Sequence, residues 1–83
     1  MMIERLAPDD LPLWIQQHRW DVGRRLRALR TDRGWTQMQL AERCGIDNKT
    51  ISRMENGRYG TSIDQVARLA RALDVPSWWP LRD

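Results

Sequence analysis

Apolar residues recur along this chain at helical intervals, and no segment alternates with the two-residue period of a strand. Val22, Leu26 and Leu29 stand at i, i+4 and i+7, which predicts a helix starting near Asp21 and stopping near Gly34, just after Arg33. Thr36 followed three residues later by Gln39 is a capping box, and it opens a second helix over about 37–44 with Leu40, Ala41 and Cys44 turned inward. Gly45 ends that helix after about eight residues, too few to hold without neighbours to pack on. Asp47 is a natural N-cap for a third helix over about 48–55, with Ile51 and Met54 inward and Asn56-Gly57 as its left-handed stop. Arg58 to Thr61 reads as a loop. Ser62 and Gln65 form another capping box for a fourth helix, whose buried face is expected to carry Ile63, Val66, Ala67, Leu69, Ala70 and Leu73.

Both ends depart from this regularity. Past Val75, Pro76 and Pro80 leave room for at most a turn or so of helix, and Pro80 is expected to push Trp79 out of the helical region. Before Asp21, Asp10 can cap a helix with Pro12 in its first turn, and Leu11, Trp14, Ile15 and His18 make an apolar stripe. Trp14 and Trp20 are large side chains for a disordered arm. Such a segment buries them either on its own domain or on a second copy, and the pattern weighs equally for both.

At 83 residues the chain suits one domain with one core, so large cofactor-holding folds are excluded. No apolar run approaches the ~18–20 residues that cross a bilayer, and the first ten residues lack the basic-then-apolar order of a secretory signal. A single cysteine, Cys44, allows no internal disulfide, and the expected location is the cytoplasm. His18 is the only histidine, the acids are scattered and no glycine-rich phosphate loop occurs, so no catalytic, metal or cofactor site is expected. The net charge of +3 says little until it is divided. Residues 1–21 set two Arg against four acids, whereas residues 22–83 set twelve basic residues against seven acids. Thirteen of the fourteen basic residues are Arg, whose planar fork suits phosphate and guanine.

Gln37 to Asn56 is the informative stretch: a short capped helix, a glycine turn and a second capped helix. Ala41 is small enough for a close helix crossing, and Leu40, Cys44, Ile46, Ile51 and Met54 supply the seam between the two. That is the arrangement of a helix-turn-helix, whose second helix enters the major groove. The exposed face of that helix would carry Asn48, suited to adenine, and Lys49 and Arg53, suited to guanine.

Gly23-Arg24-Arg25-Leu26-Arg27-Ala28-Leu29-Arg30, Trp35 to Ala41, Ile51 to Gly57 and Val66 to Val75 together closely resemble the Cro/repressor (XRE-type) family. The resemblance covers about residues 21–82, with residues 1–20 as an N-terminal extension. It implies an all-α, five-helix, phage-repressor-like DNA-binding domain acting as a homodimer on a palindromic double-stranded operator. It places base contacts at Asn48, Lys49, Ser52 and Arg53, and phosphate contacts at Gln37, Thr50, Asn56, Arg58 and Tyr59. Arg30 and Glu55 match a structural ion pair, Trp79 matches a core aromatic, and Trp78 is left exposed or interfacial. Asp47 stands on the same face, but its expected role is the cap, and Tyr59 has packing on its loop as a competing role. The implied function is transcriptional regulation by a repressor. Three alternatives share the fold: an antitoxin with a toxin partner, a restriction-modification controller protein, and a protein-interaction module that no longer binds DNA.

Overall fold

The predicted start signals of the second, third and fourth helices are each matched by a cap in three dimensions. The computed structural model describes residues 11–77 and 79–81, which form four α-helices and one 3-10 turn: α1 (Leu13–Asp32), α2 (Gln37–Cys44), α3 (Asn48–Glu55), α4 (Ile63–Leu73) and the turn Trp79–Leu81. At α2 the Gln39 amide donates to Thr36 Oγ1 at 3.1 Å while the Thr36 amide donates to Gln39 Oε1 at 2.8 Å. The same reciprocal box, Ser62 with Gln65, opens α4. Asp47 Oδ2 accepts from the Thr50 amide at 3.3 Å and so starts α3. These bonds satisfy amides that have no partner within their own helix.

Leu26, Leu40, Ile51, Met54, Leu69 and Leu73 are fully buried, and Ala41, Cys44, Ile46, Ala70, Val22 and Trp79 complete one core. All four helices contribute, so α2 and α3, at eight residues each, are held by packing rather than by their own propensity. Gly23 sets the closeness of the α1–α3 crossing. A Cβ on it would overlap the Met54 carbonyl oxygen and come within 2.8 Å of the Glu55 one.

Several expectations are corrected. The first helix begins at Leu13, not near Asp21, and runs unbroken for 20 residues, because nothing between Leu13 and Asp32 interrupts the backbone ladder. Pro12 occupies its N-cap without a side-chain bond; Asp10, the expected cap, lies outside the described residues, as does Trp78. The apolar stripe assigned to the leading segment is also different. Trp14 is 68% exposed and His18 is exposed, whereas the polar Gln16 is buried. On α4, Ile63 is 87% exposed and Ala67 exposed, since the first turn of that helix reaches beyond the core and only Leu69, Ala70 and Leu73 are buried. Among the described residues four α-helices are found rather than five. Pro76 and Pro80 confine the last segment to a 3-10 turn, which does contain Trp79, contrary to the expectation that Pro80 would drive it from helical backbone. The Trp79 amide bonds to the Pro76 carbonyl at 3.0 Å, and its indole is buried in the core.

Candidate nucleic-acid interface

α3 turns Ile51 and Met54 to the core, and the opposite side is therefore left to its polar residues. Asn48, Lys49 and Arg53 are all exposed there, while Ser52 and Thr50 are half-buried at the edges. Lys49 and Arg53 are one helical turn apart, as are Asn48 and Ser52, so these four side chains share one face. Asn56 continues that face beyond the helix end. Its Nδ2 donates back to the Ser52 carbonyl at 2.9 Å. Ser52, Arg53, Asn56 and Arg58 together line a shallow, largely polar depression where α3 runs into the loop. Three cations, Lys49, Arg53 and Arg58, thus stand exposed on one side of the molecule with no carboxylate among the residues lining that depression.

The remaining candidates sit in two supporting positions. Tyr59 is half-buried against the core, and its hydroxyl accepts a 3.2 Å bond from Gln65 Nε2, whose Oε1 caps α4. Its loop is thereby tied to the start of α4. Gln37 is the first residue of α2, and its Nε2 donates to Glu55 Oε1 at 3.1 Å. A carboxylate only accepts, which forces the amide nitrogen of Gln37 inward and leaves its other N–H as the group available to an outside acceptor.

Glu55 is the hub of this region. Arg30 Nε and Nη2 grip its two oxygens at 2.6 and 2.9 Å, and Arg30 Nη1 donates to the Trp35 carbonyl at 2.7 Å. Both side chains are nearly withdrawn from solvent, at 10% and 3% exposure. The two-pronged bond to Glu55 holds the Arg30 charge firmly, raising its pKa above the ordinary guanidinium value against the opposing pull of burial. This pair joins the end of α1, the turn before α2 and the end of α3.

Several contacts were not foreseen from the sequence. Gln16 Nε2 donates to the Gly57 carbonyl at 2.7 Å, and Trp20 lies against Gly57. Arg43 stacks over the Trp35 ring at 4.3 Å, a cation–π contact that covers the turn before α2. Arg33 reaches back to the Leu73 carbonyl. The spacing of Gln16, Trp20, Gly23 and Arg30 on one face of a helix was the available signal, but it is a mixed polar and glycine stripe that a search for apolar periodicity passes over. Cys44 is buried, burial pushes its thiol up, and its Sγ lies 3.8 Å from the Ala41 carbonyl; it is a core side chain.

Two short capped helices meeting across a glycine turn, with the outer face of the second left open, define a helix-turn-helix protein. A family model described as a helix-turn-helix domain matches residues 21–77, and the chain belongs to that family. Among curated relatives, it is 43% identical over 54 residues to the competence pilus inhibition repressor of Acinetobacter baylyi, covering 65% of this chain and 49% of that protein. It is 44% identical over 55 residues to the HTH-type transcriptional repressor RghR of Bacillus subtilis, covering 65% and 41% respectively. The chain thus spans about half the length of the curated relatives it matches. Among solved structures, the restriction-modification controller protein C.AhdI of Aeromonas hydrophila superposes with a TM-score of 0.72 at 34% identity, over 75% of this chain and 94% of that one. The hypothetical transcription factor NHTF from Neisseria superposes with a TM-score of 0.75 at 26% identity, over 99% of this chain and 87% of the other.

Proposed function

We propose that this protein binds double-stranded DNA in a sequence-specific manner and regulates transcription, acting as a repressor by occupying its operator. The observation that carries this reading is the open face of α3, where Asn48, Lys49, Ser52 and Arg53 stand clear of the core beside the exposed Arg58. Laid in the major groove, that face offers Asn48 to adenine and Lys49 and Arg53 to guanine. Gln37, at the N-terminus of α2, and Thr50, Asn56, Arg58 and Tyr59 flank it as phosphate contacts. In this reading residues 21–82 are the DNA-binding unit, residues 1–20 are an addition to it, and no catalytic reaction is assigned. No described helix is long and apolar enough to cross a membrane, which agrees with a cytoplasmic regulator.

One recognition helix covers only about four to six base pairs, so the reading includes a homodimer on a palindromic operator with half-sites about one helical turn, ~34 Å, apart. Selection of binding sites from random duplexes, followed by titration of the selected duplex, tests the whole scheme. Arg53→Ala or Lys49→Ala is expected to weaken binding by about 1–3 kcal/mol and to relax preference at particular base pairs. Failure to select any sequence, or an Arg53→Ala protein with unchanged affinity and preference, would refute the docking face. Likeness to C.AhdI along nearly that entire chain supports a second reading, a restriction-modification controller. The two are separated by the neighbouring genes, where a methyltransferase and nuclease pair would favour the controller.

A further inference from the structure

The first two turns of α1, Leu13–Trp20, lie ahead of the residues 21–77 that the family model matches, and they pack on one short loop. Gln16 is only 6% exposed, and its Nε2 donates to the Gly57 carbonyl across 41 positions of sequence. Trp20, one turn further on, lays the edge of its indole on Gly57, where a Cβ would overlap Cδ1 and stand 2.8 Å from Nε1. Arg19 lies alongside Gly60, with Nη2 3.0 Å from where a Cβ would be. All three contacts fall on the loop Gly57–Gly60, which carries Arg58 and Tyr59.

The bond from Gln16 matters because of which peptide it holds. The Gly57 carbonyl belongs to the Gly57–Arg58 peptide unit, and the amide of the same unit donates to the Arg53 carbonyl at 2.8 Å. One end of the peptide plane is thus tied to α1 and the other to α3. Gly57 itself, at φ +69°, is the residue in this loop about which that plane would otherwise swing most freely. Fixing the plane fixes the direction in which the Arg58 side chain leaves the backbone, and that side chain is exposed. Trp20 prevents Gly57 from moving toward α1. Tyr59, bonded to Gln65, holds the far side of the loop.

We propose that Gln16 and Trp20 are positioning residues, which clamp the Gly57–Arg58 peptide so that Arg58 meets a DNA phosphate. The proposal rests on the DNA-binding reading above. It gives the leading turns of α1 a function that packing alone does not require, since the core side chains of this helix begin at Val22.

The test uses the full chain and a duplex selected by the wild-type protein. Gln16→Leu, Trp20→Ala and Trp20→Phe are compared with Arg58→Ala, alone and combined. Gln16→Leu and Trp20→Ala should weaken binding several-fold and flatten the dependence of log affinity on log salt by about 0.9, the contribution of one phosphate contact. Base preference at the positions read by α3 should stay as in wild type. Arg58→Ala should add little to either variant, and Trp20→Phe should restore the slope. Hydrogen exchange without DNA supplies a second readout, in which the Arg58 amide of Gln16→Leu should exchange faster than in wild type. A salt slope that stays at the wild-type value in Gln16→Leu, or an Arg58→Ala effect that adds in full, would overturn the clamp while leaving DNA binding intact. Unchanged exchange at Arg58 would overturn it irrespective of DNA. A wild-type chain that selects no duplex would remove both proposals together.

Discussion

Replacing Arg30 by Met should be among the most damaging single changes this fold can receive, because its side chain is buried and makes three bonds within the fold. Arg30 makes two bonds to Glu55 and one to the Trp35 carbonyl, with the pair at 10% and 3% exposure. Arg30→Met leaves a Glu55 carboxylate almost out of water with the Gln37 amide still donating to it, and it leaves the Trp35 carbonyl without its guanidinium partner. Removing one member of a buried ion pair costs about 3–5 kcal/mol, chiefly through the stranded charge. At about 0.05–0.15 kcal/mol per residue, a domain of this length has about 4–12 kcal/mol in total. Arg30→Met alone can therefore remove much of the stability. The double variant Arg30→Met/Glu55→Met strands no charge and should recover about 0.5–3 kcal/mol relative to the sum of the singles, the range seen for residues in one network. Urea denaturation of wild type, both singles and the double measures this coupling directly. A coupling energy below about 0.5 kcal/mol, within ordinary additivity, would refute the view that the pair acts as a unit.

Two further predictions separate backbone strain from packing and chemistry from burial. Gly34→Ala, at φ +71° with open space around it, should cost only the left-handed penalty of about 1–2 kcal/mol, whereas Gly57→Ala, at nearly the same φ, should cost distinctly more because it also strikes Trp20; equal losses in thermal or urea denaturation would show that the indole yields freely. Cys44 is held protonated by burial, so its share of stability is whole below the ordinary thiol range and is lost as pH rises through it, because the unfolded chain gains by ionising. Stability of wild type should accordingly fall between neutral and strongly alkaline pH by more than that of Cys44→Ala, and parallel pH profiles for the two would refute this.

The sequence by itself determined α2, α3 and α4 and which residues of α3 face outward. Both capping boxes, the Asp47 cap and the glycines that end α2 and α3 are local devices, each using residues within three or four positions of one another, so their meaning survives without tertiary information. The seam of Leu40, Cys44, Ile46, Ile51 and Met54 was legible for the same reason, and it leaves Asn48, Lys49 and Arg53 outward by helical period alone. The Arg30–Glu55 pair came instead from family resemblance, since nothing local joins residues 25 positions apart. Tertiary structure decided what periodicity could not. Helical spacing says that Ile63 shares a face with Val66 and Ala70, but only the position of α4 against its neighbours shows that its first turn overhangs the core. Likewise, a break at Asp21 was inferred where the apolar stripe begins, yet backbone hydrogen bonding continues through any stretch without a breaker, and α1 begins two turns earlier. Gln16, which the apolar pattern leaves out, is buried because a distant carbonyl, that of Gly57, lies within its reach and needs a donor. A polar side chain's burial depends on which unpaired backbone group the fold brings to it, and that partner lies 41 residues away in the chain.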